Sequence, residues 1–497
     1  MAKHYRISVQ VEIVESDAVL QDEPQEMDSG HFELVIDEDQ AWSIDACEQA
    51  VLQTNYPAIR AALATHLSAL SEQVCVTATL EDIETTTYRV DGEVGRFTFE
   101  THRGVDAAGQ VVDTQALFPT LTGQEWYRTV GFKELGLVHG TVEGSFRHSA
   151  TWLNRVRHQP EGTPWRTLSH NSAREGEQLL AHLEEHAEHI LKTHAFTDTQ
   201  PPADEQAAYQ HQKLVSQPPE QVQTALAKCA PDTRYVAEMA RNPVAYEVAA
   251  QSVQVSIDPV GVKHQKEVHD HVPKEQKRDL VYQTVAHIQH RDRVYLLNGR
   301  SIALVLRLVL AFLLHNQLLK NNLVFFIDGE RSLSKTILQV FAWFGPVQLI
   351  LDWPHLQDKC RAGLSMALKG RAIRNQVLEQ LCPLLWAGCV ESAIELLRDL
   401  DSDYIRDAGR LDQLIGYFER QRAYMPCYAV RKELGLRNSS NRGEKANDLL
   451  VSKRQKHNGM SWSTSGSLAL AALTALVRNN EYSQWFRLRS IQFAFAS

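Results

Sequence analysis

The sequence predicts a multidomain α/β protein, on three observations. The chain has 497 residues, more than a single hydrophobic core accommodates, and a length prior gives about three domains. Its periodicity changes along the chain: strand-like alternation at the N-terminus, then helical spacing, then short apolar runs interleaved with helical stretches from Val253 onward. Composition is that of a folded chain, 43% hydrophobic and 23% charged, which excludes a chain disordered throughout.

Tyr5 to Val14, Phe32 to Ile36, Val74 to Leu80 and Arg96 to Thr101 have the pattern of strands, and Ile44 to Leu70 that of a helix. Residues 1–115 are therefore expected to form a small α+β domain. From 120 to 195 the pattern is helical, broken at Gln159-Pro-Glu-Gly-Thr-Pro164, with Arg147, Arg155, Arg157 and Arg166 distributed as in either a helix-turn-helix-like reader of DNA or a plain helical bundle. Residues 196–235 are polar and proline-rich and read as a linker.

Charge is divided unevenly. The first 100 residues hold 20 acidic against 5 basic residues, so the rest of the chain is net positive although the whole carries −10. Around Glu444 the cations Arg431, Lys432, Arg437, Arg442, Lys445, Lys453, Arg454 and Lys456 cluster, enough to neutralise several phosphates or to make an ordinary solvated face. Seven scattered cysteines without a C-x-x-C pair suggest neither a disulfide framework nor a zinc ribbon, and a reducing cytoplasm is expected. The N-terminus lacks the apolar core of a signal peptide, and the longest apolar run, Ile302 to Leu314, is too short to span a bilayer and contains Arg307.

From Val253 the order of elements is informative. A strand reaching Asp258, strands Tyr282 to His290 and Val294 to Leu297, and the helix Ile302 to Leu319 come first. A strand to Asp328, a helix Ser334 to Phe344, a strand Val347 to Asp352 and a further helix follow. This is the order of an RNase H-like fold, in which the first and fourth strands are neighbours, so Asp258 and Asp328 are expected at adjacent strand ends. Paired carboxylates there have the chemistry of a magnesium site for phosphoryl transfer, since Mg²⁺ takes one or two carboxylates and completes its shell with substrate phosphate.

Four segments in order resemble bacterial insertion-sequence transposases of the mutator-like DDE group. They are Ser256-Ile-Asp-Pro-Val-Gly-Val-Lys-His-Gln-Lys266, Phe326-Ile-Asp-Gly-Glu330, Leu351-Asp-Trp-Pro-His-Leu356, and Asn441-Arg-Gly-Glu-Lys445 continuing to Ser452-Lys-Arg-Gln-Lys-His-Asn-Gly-Met-Ser-Trp-Ser463. The resemblance covers roughly residues 250 to 490, with a weaker echo from Phe146 to Glu177, where relatives carry a DNA-binding helical region. It implies a DDE core in two parts, 245–360 and 436–497, separated by a helical insertion at 361–435. It further implies catalytic, metal-holding Asp258, Asp328 and Glu444, accessory Asp352 and His355, and two Mg²⁺ or Mn²⁺ ions. Glu433 is the nearest competitor for the role of Glu444. Arg442, Lys445, Lys453, Arg454, Lys456 and His457 are the expected DNA-binding residues, with Trp462 either stacking on a base or packing in the core.

The activity implied is metal-dependent DNA hydrolysis and strand transfer at the ends of a mobile element. The partners implied are double-stranded DNA, as terminal repeats and target, and a second copy of the chain in a homodimer or higher oligomer, in a bacterial cytoplasm and without a membrane. A domesticated, catalytically silent transposase that only binds DNA is the alternative. Two other motifs compete. Gly329 to Thr336 misses a phosphate-binding loop by having Ser334 in place of glycine, and His182-Leu-Glu-Glu-His186 has zinc-peptidase spacing on a helix without an evident third ligand.

Overall fold

A computed structural model describes residues 4–15, 25–37, 43–121, 126–159, 162–265, 279–456 and 460–496. The chain is mixed α/β and divides into two compact units, 1–172 with 482–490, and 173–481 with 491–497.

Among the described residues the first unit holds two sheets. Strands β1 (His4–Glu15) and β2 (Gln25–Asp37) pair antiparallel. Ser43 then caps a helix, Ile44–Thr77, by accepting from the Ala46 amide. The strand expected at Val74 to Leu80 is instead the end of this helix, followed by Thr79 at φ +50°; the packed helix overrides the β preference of its valines and threonine. Strands β3 (Glu81–Gly92), β4 (Gly95–Val105), β5 (Val111–Asp113) and β6 (Trp126–Arg128) follow, in the sheet order β5-β4-β3-β6. Tyr88, Val90, Phe99 and Leu121 form their core.

The helical region begins with Val130–Val142 and Phe146–Val156, capped by Thr129 and Ser145. Arg157, counted above among possible DNA readers, is fully buried: it donates to Thr163 at 2.8 Å, lies 3.7 Å from the equally buried Asp91, and sits over the Phe132 ring. It holds the unit together from within.

The second unit is built on one five-stranded sheet. Strands β7 (Ser252–Lys263), β8 (Leu280–His290) and β9 (Arg293–Gly299) form an antiparallel meander, and β10 (Asn322–Ile327) and β11 (Val347–Leu351) add parallel to β7, giving the order β11-β10-β7-β8-β9. Every residue of β10 is buried, as expected of a central strand with both faces covered. The Ile302–His315 helix, capped by Ser301, connects the meander to β10, and Arg331–Phe341 connects β10 to β11.

Residues 196–235 are folded rather than a free linker. Helices Ala203–His211 and Pro219–Cys229 form there, the Asn322 side chain of β10 bonds both the amide and the carbonyl of Val215, and Leu226 joins a core containing Cys427 and Val430. Helices Arg371–Trp386, Val390–Arg398 and Ala408–Gln421 lie further along the chain. Helix Tyr428–Glu433 follows, its Tyr428 hydroxyl donating to the Leu351 carbonyl of β11 at 2.8 Å. The chain then returns to the sheet through the short Asn441–Asn447 helix, a π turn at Asp448–Ser452 and the Thr464–Arg478 helix. Among the described residues no helix is long and apolar enough to cross a membrane, and all seven cysteines are free.

Candidate functional site

Asp258 lies within β7 rather than at its end: the strand continues to Lys263, and Asp258 pairs with Val285 on the β8 side. On the other side β10 runs out first. The parallel ladder ends at Ser256 opposite Phe326, so continuing that register by two residues sets position 258 against 328, the residue just past β10. Because side chains on a strand repeat every two residues, Ser256 and Asp258 share one face of the sheet.

Asp328 opens a turn. Its Oδ1 accepts from the Glu330 amide at 2.8 Å, and Gly329 takes φ +86°. A side chain at Gly329 would collide with the Tyr417 hydroxyl, and Gln421 donates to the Gly329 carbonyl at 3.1 Å. The Ala408–Gln421 helix thus packs directly on the turn that carries Asp328, with Gly329 the residue type that permits both the backbone conformation and the close approach.

The helix Asn441–Asn447 lies on the face shared by Ser256 and Asp258. A Cβ on Gly443 would stand 2.6 Å from the Ser256 Cβ, and one turn later Asn447 Nδ2 donates to Asp258 Oδ2. Glu444, half exposed, is 3.8 Å from His355 Nε2. Gly443→Ala is expected to destabilise by about 1–3 kcal/mol, the usual cost of overpacking, which outweighs the roughly 1 kcal/mol by which alanine favours a helix over glycine. Chemical denaturation checks this, and unchanged stability would mean the helix can lift freely from β7.

Asp352, fully buried, caps the Trp353–Ala367 helix by accepting from the His355 amide at 3.0 Å; the same oxygen accepts from His355 Nδ1 at 3.0 Å. Its second oxygen takes the Ser440 amide and, at 2.8 Å, the Ser440 hydroxyl. Asp352 therefore ties the end of β11 to the segment leading into Glu444.

The charges are coupled. Burial, and then the Asp328 charge, push the Asp258 carboxyl up to about 6, with Glu444 adding to the rise and Asn447 and His355 opposing it. His355 is pushed up to about 9, chiefly by its hydrogen bond to Asp352, with the charges of Asp352, Glu444 and Asp328 adding, so it is cationic at neutral pH. Burial alone would raise Asp352, but the hydrogen bonds from His355 and Ser440 outweigh it and hold the carboxyl below its ordinary value.

The expected DNA contacts separate. Arg442 is exposed and donates to Gln289 of β8. Lys445 is exposed and pairs with Asp448 at 3.2 Å, while Lys453 and Lys456 are exposed. The reading of Arg454 as a DNA contact needs correction, and of the two roles open to Trp462 the packing one is found. Arg454 is 2% exposed with its guanidinium over the Trp462 ring, and Trp462 is 8% exposed, donating to the Gln455 carbonyl at 3.1 Å, so both are inward-facing packing residues. His457 lies outside the described residues. The competitor Glu433 pairs with Lys228 at 2.7 Å.

Sequence reasoning missed Asn447, Ser440, Tyr417 and Gln421. Only Asn447 left a trace, its i, i+3 spacing from Glu444, and the π turn beginning at Asp448 is a feature frequent at functional sites. Among the described residues no group of three or more His, Cys, Asp or Glu is arranged to hold a metal ion. The donor chemistry nonetheless fits a hard cation: carboxylate oxygens on Asp258, Asp328 and Glu444, a repulsive effect of the latter two on the half-buried Asp258, and a buried Asn447 Oδ1 without a donor. Compared with protein-family models, curated proteins and solved structures, the chain gives no match.

Proposed function

We propose that the chain is a DDE transposase with an RNase H-like core, related to the mutator-like group, that cleaves DNA at the ends of a mobile element and transfers the strands. The observation that carries this reading is the parallel register that sets Asp258 against Asp328 on one side of a sheet, with the Glu444 helix packed on the same face. The sheet order, an antiparallel meander whose first strand is flanked by a parallel fourth and then a fifth, supports it.

Asp258, Asp328 and Glu444 would hold the divalent ions. Magnesium or manganese, when bound, supplies charge stabilisation to the attacking and leaving oxygens of an in-line displacement. The chain's own residues do the positioning. Asn447 fixes the Asp258 carboxylate, the turn closed by Gly329 and braced by Gln421 fixes Asp328, and Asp352 orients a cationic His355 whose free nitrogen faces Glu444. A charged imidazole beside three carboxylates can hold a scissile-strand phosphate against them.

The test is Mg²⁺-dependent cleavage of DNA carrying the element's ends, by the wild type and by Asp328→Asn. Cleavage by the wild type alone is the expected result. Cleavage by both removes the carboxylates from the chemistry, and binding without cleavage by either leaves a silent DNA-binding protein.

A further inference from the structure

We propose that Arg437 and Arg442, converging on Gln289 of β8, form a subsite for a backbone phosphate of DNA, set apart from the carboxylates. The inference rests on the reading of the protein as a DNA-processing enzyme. Arg437 Nη1 donates to Gln289 Oε1 at 2.8 Å, and Arg442 Nη1 donates to the same oxygen. The amide orientation is fixed independently, because Gln289 Nε2 donates to the Arg291 carbonyl at 2.5 Å and leaves only the oxygen for the arginines.

What distinguishes the pair is the lack of a counter-charge. Two fully buried arginines elsewhere in the chain, Arg431 and Arg157, each face a buried carboxylate, Glu247 and Asp91. Among the described residues neither Arg437 nor Arg442 forms an ion pair, and the charge that acts on Arg437 is that of Arg442. The titratable group on β8 that both arginines act on is the buried His287, which burial and the two arginines push down to about 4, so it is neutral at pH 7 and leaves the pair's double charge intact.

Two guanidiniums sharing one neutral acceptor repel each other, and an anion between them would relieve the repulsion with charge-assisted hydrogen bonds. Arg437 is held in place for this, since its carbonyl accepts from Arg431 Nε and Nη2 at 3.0 and 2.9 Å. The subsite is also placed along the path to the carboxylates. Gln289 pairs with Gln254 while Asp258 pairs with Val285, four residues along the same ladder. That offset is about 13 Å of strand, or the axial rise of about four base steps of duplex. The Asn441–Asn447 helix, about 10 Å long, covers most of the interval, with Arg442 near one end and Asn447 at the other. A phosphate a few nucleotides from the cleaved bond would thereby set the register of the strand at the carboxylates.

The test uses the full chain and a duplex oligonucleotide of arbitrary sequence, in metal-free buffer, with affinity followed by anisotropy over a range of salt. For Arg437→Gln/Arg442→Gln we expect weaker binding and a salt slope shallower by about one unit, the value for one lost phosphate contact. Gln289→Glu, which keeps both arginines but puts a carboxylate between them, is expected to do the same, so misfolding of the double variant would not decide the matter. Unchanged affinity and slope in both variants overturns the subsite. If the slope falls while the wild type never cleaves its element's ends with Mg²⁺, the subsite stands and the transposase reading fails; if Asp328→Asn silences cleavage while the slope is unaffected, the reverse holds. A wild type that does not bind duplex DNA overturns both.

Discussion

Asp258→Asn is expected to lower Mg²⁺-dependent cleavage by about 10³-fold while making the metal-free protein more stable at neutral pH. The activity loss follows from charge. A metal ligand contributes several kcal/mol to the transition state, and about 4 kcal/mol is about a thousandfold in rate. The stability gain follows from the position of the carboxyl, half-buried and beside Asp328, with a folded value raised from 3.8 to about 6. Below the unfolded value both states are protonated and the group costs nothing. Between the two values the unfolded chain has released the proton that the folded chain retains, so stability falls as pH rises, and above the folded value the full penalty holds. The shift corresponds to at most about 3 kcal/mol. The substituted amide carries no such penalty and can still accept from Asn447. Denaturation in chelator at several pH values should therefore find the variant more stable than wild type near pH 7.5, with the advantage vanishing near pH 4. Equal stability at both pH values would show that neither burial nor the Asp328 charge penalises the Asp258 carboxylate, and retained cleavage would remove Asp258 from the site.

The strands and helices from Val253 to Ala367 were legible in the sequence because buried parallel strands read as continuous apolar runs, and the acids at Asp258 and Asp328 stand out against them. Strand β3 was not legible, since its first seven residues are exposed and rich in Glu and Thr, so it lacks the alternation that marks a half-buried strand. Proline misled at 196–235 because Pro219 occupies the first position of a helix, where its missing N–H costs nothing, yet the same residue ends helices elsewhere. Arg454 looked like a DNA contact because cations recur in such interfaces; only the fold shows it buried, with its guanidinium over the Trp462 ring. Asn447 could not be singled out, because its importance lies in the register that brings the Asn441–Asn447 helix onto β7, fixed by a glycine whose close contact is 187 positions away at Ser256. Pairings over such separations are not written in local periodicity.

The largest loss of stability is expected from Arg431→Met. Arg431 and Glu247 are both fully buried and joined by two hydrogen bonds of 2.6 and 2.7 Å, and Arg431 Nε and Nη2 also donate to the Arg437 carbonyl. Removing one partner leaves Glu247 buried without its counter-charge, a change that costs about 3–5 kcal/mol, while replacing both by apolar residues of similar volume is often close to neutral. Glu247→Leu/Arg431→Met should accordingly recover most of what the single change loses, measured by denaturant unfolding. Activity should not recover with it. The segment that Arg431 grips at Arg437 continues through Asn438, which bonds Tyr428 and Trp353, to Ser440, which bonds Asp352, and so to Glu444. The double variant keeps a filled core but loses the grip at Arg437, so the approach to Glu444 is less constrained, and a displacement of about 1 Å in a catalytic group can cost about a hundredfold. A double variant both stable and fully active would show that Arg431 serves the core alone. A stable variant with impaired cleavage would show that the buried pair is retained for the geometry of the site, at a place where apolar packing would have held the fold as well.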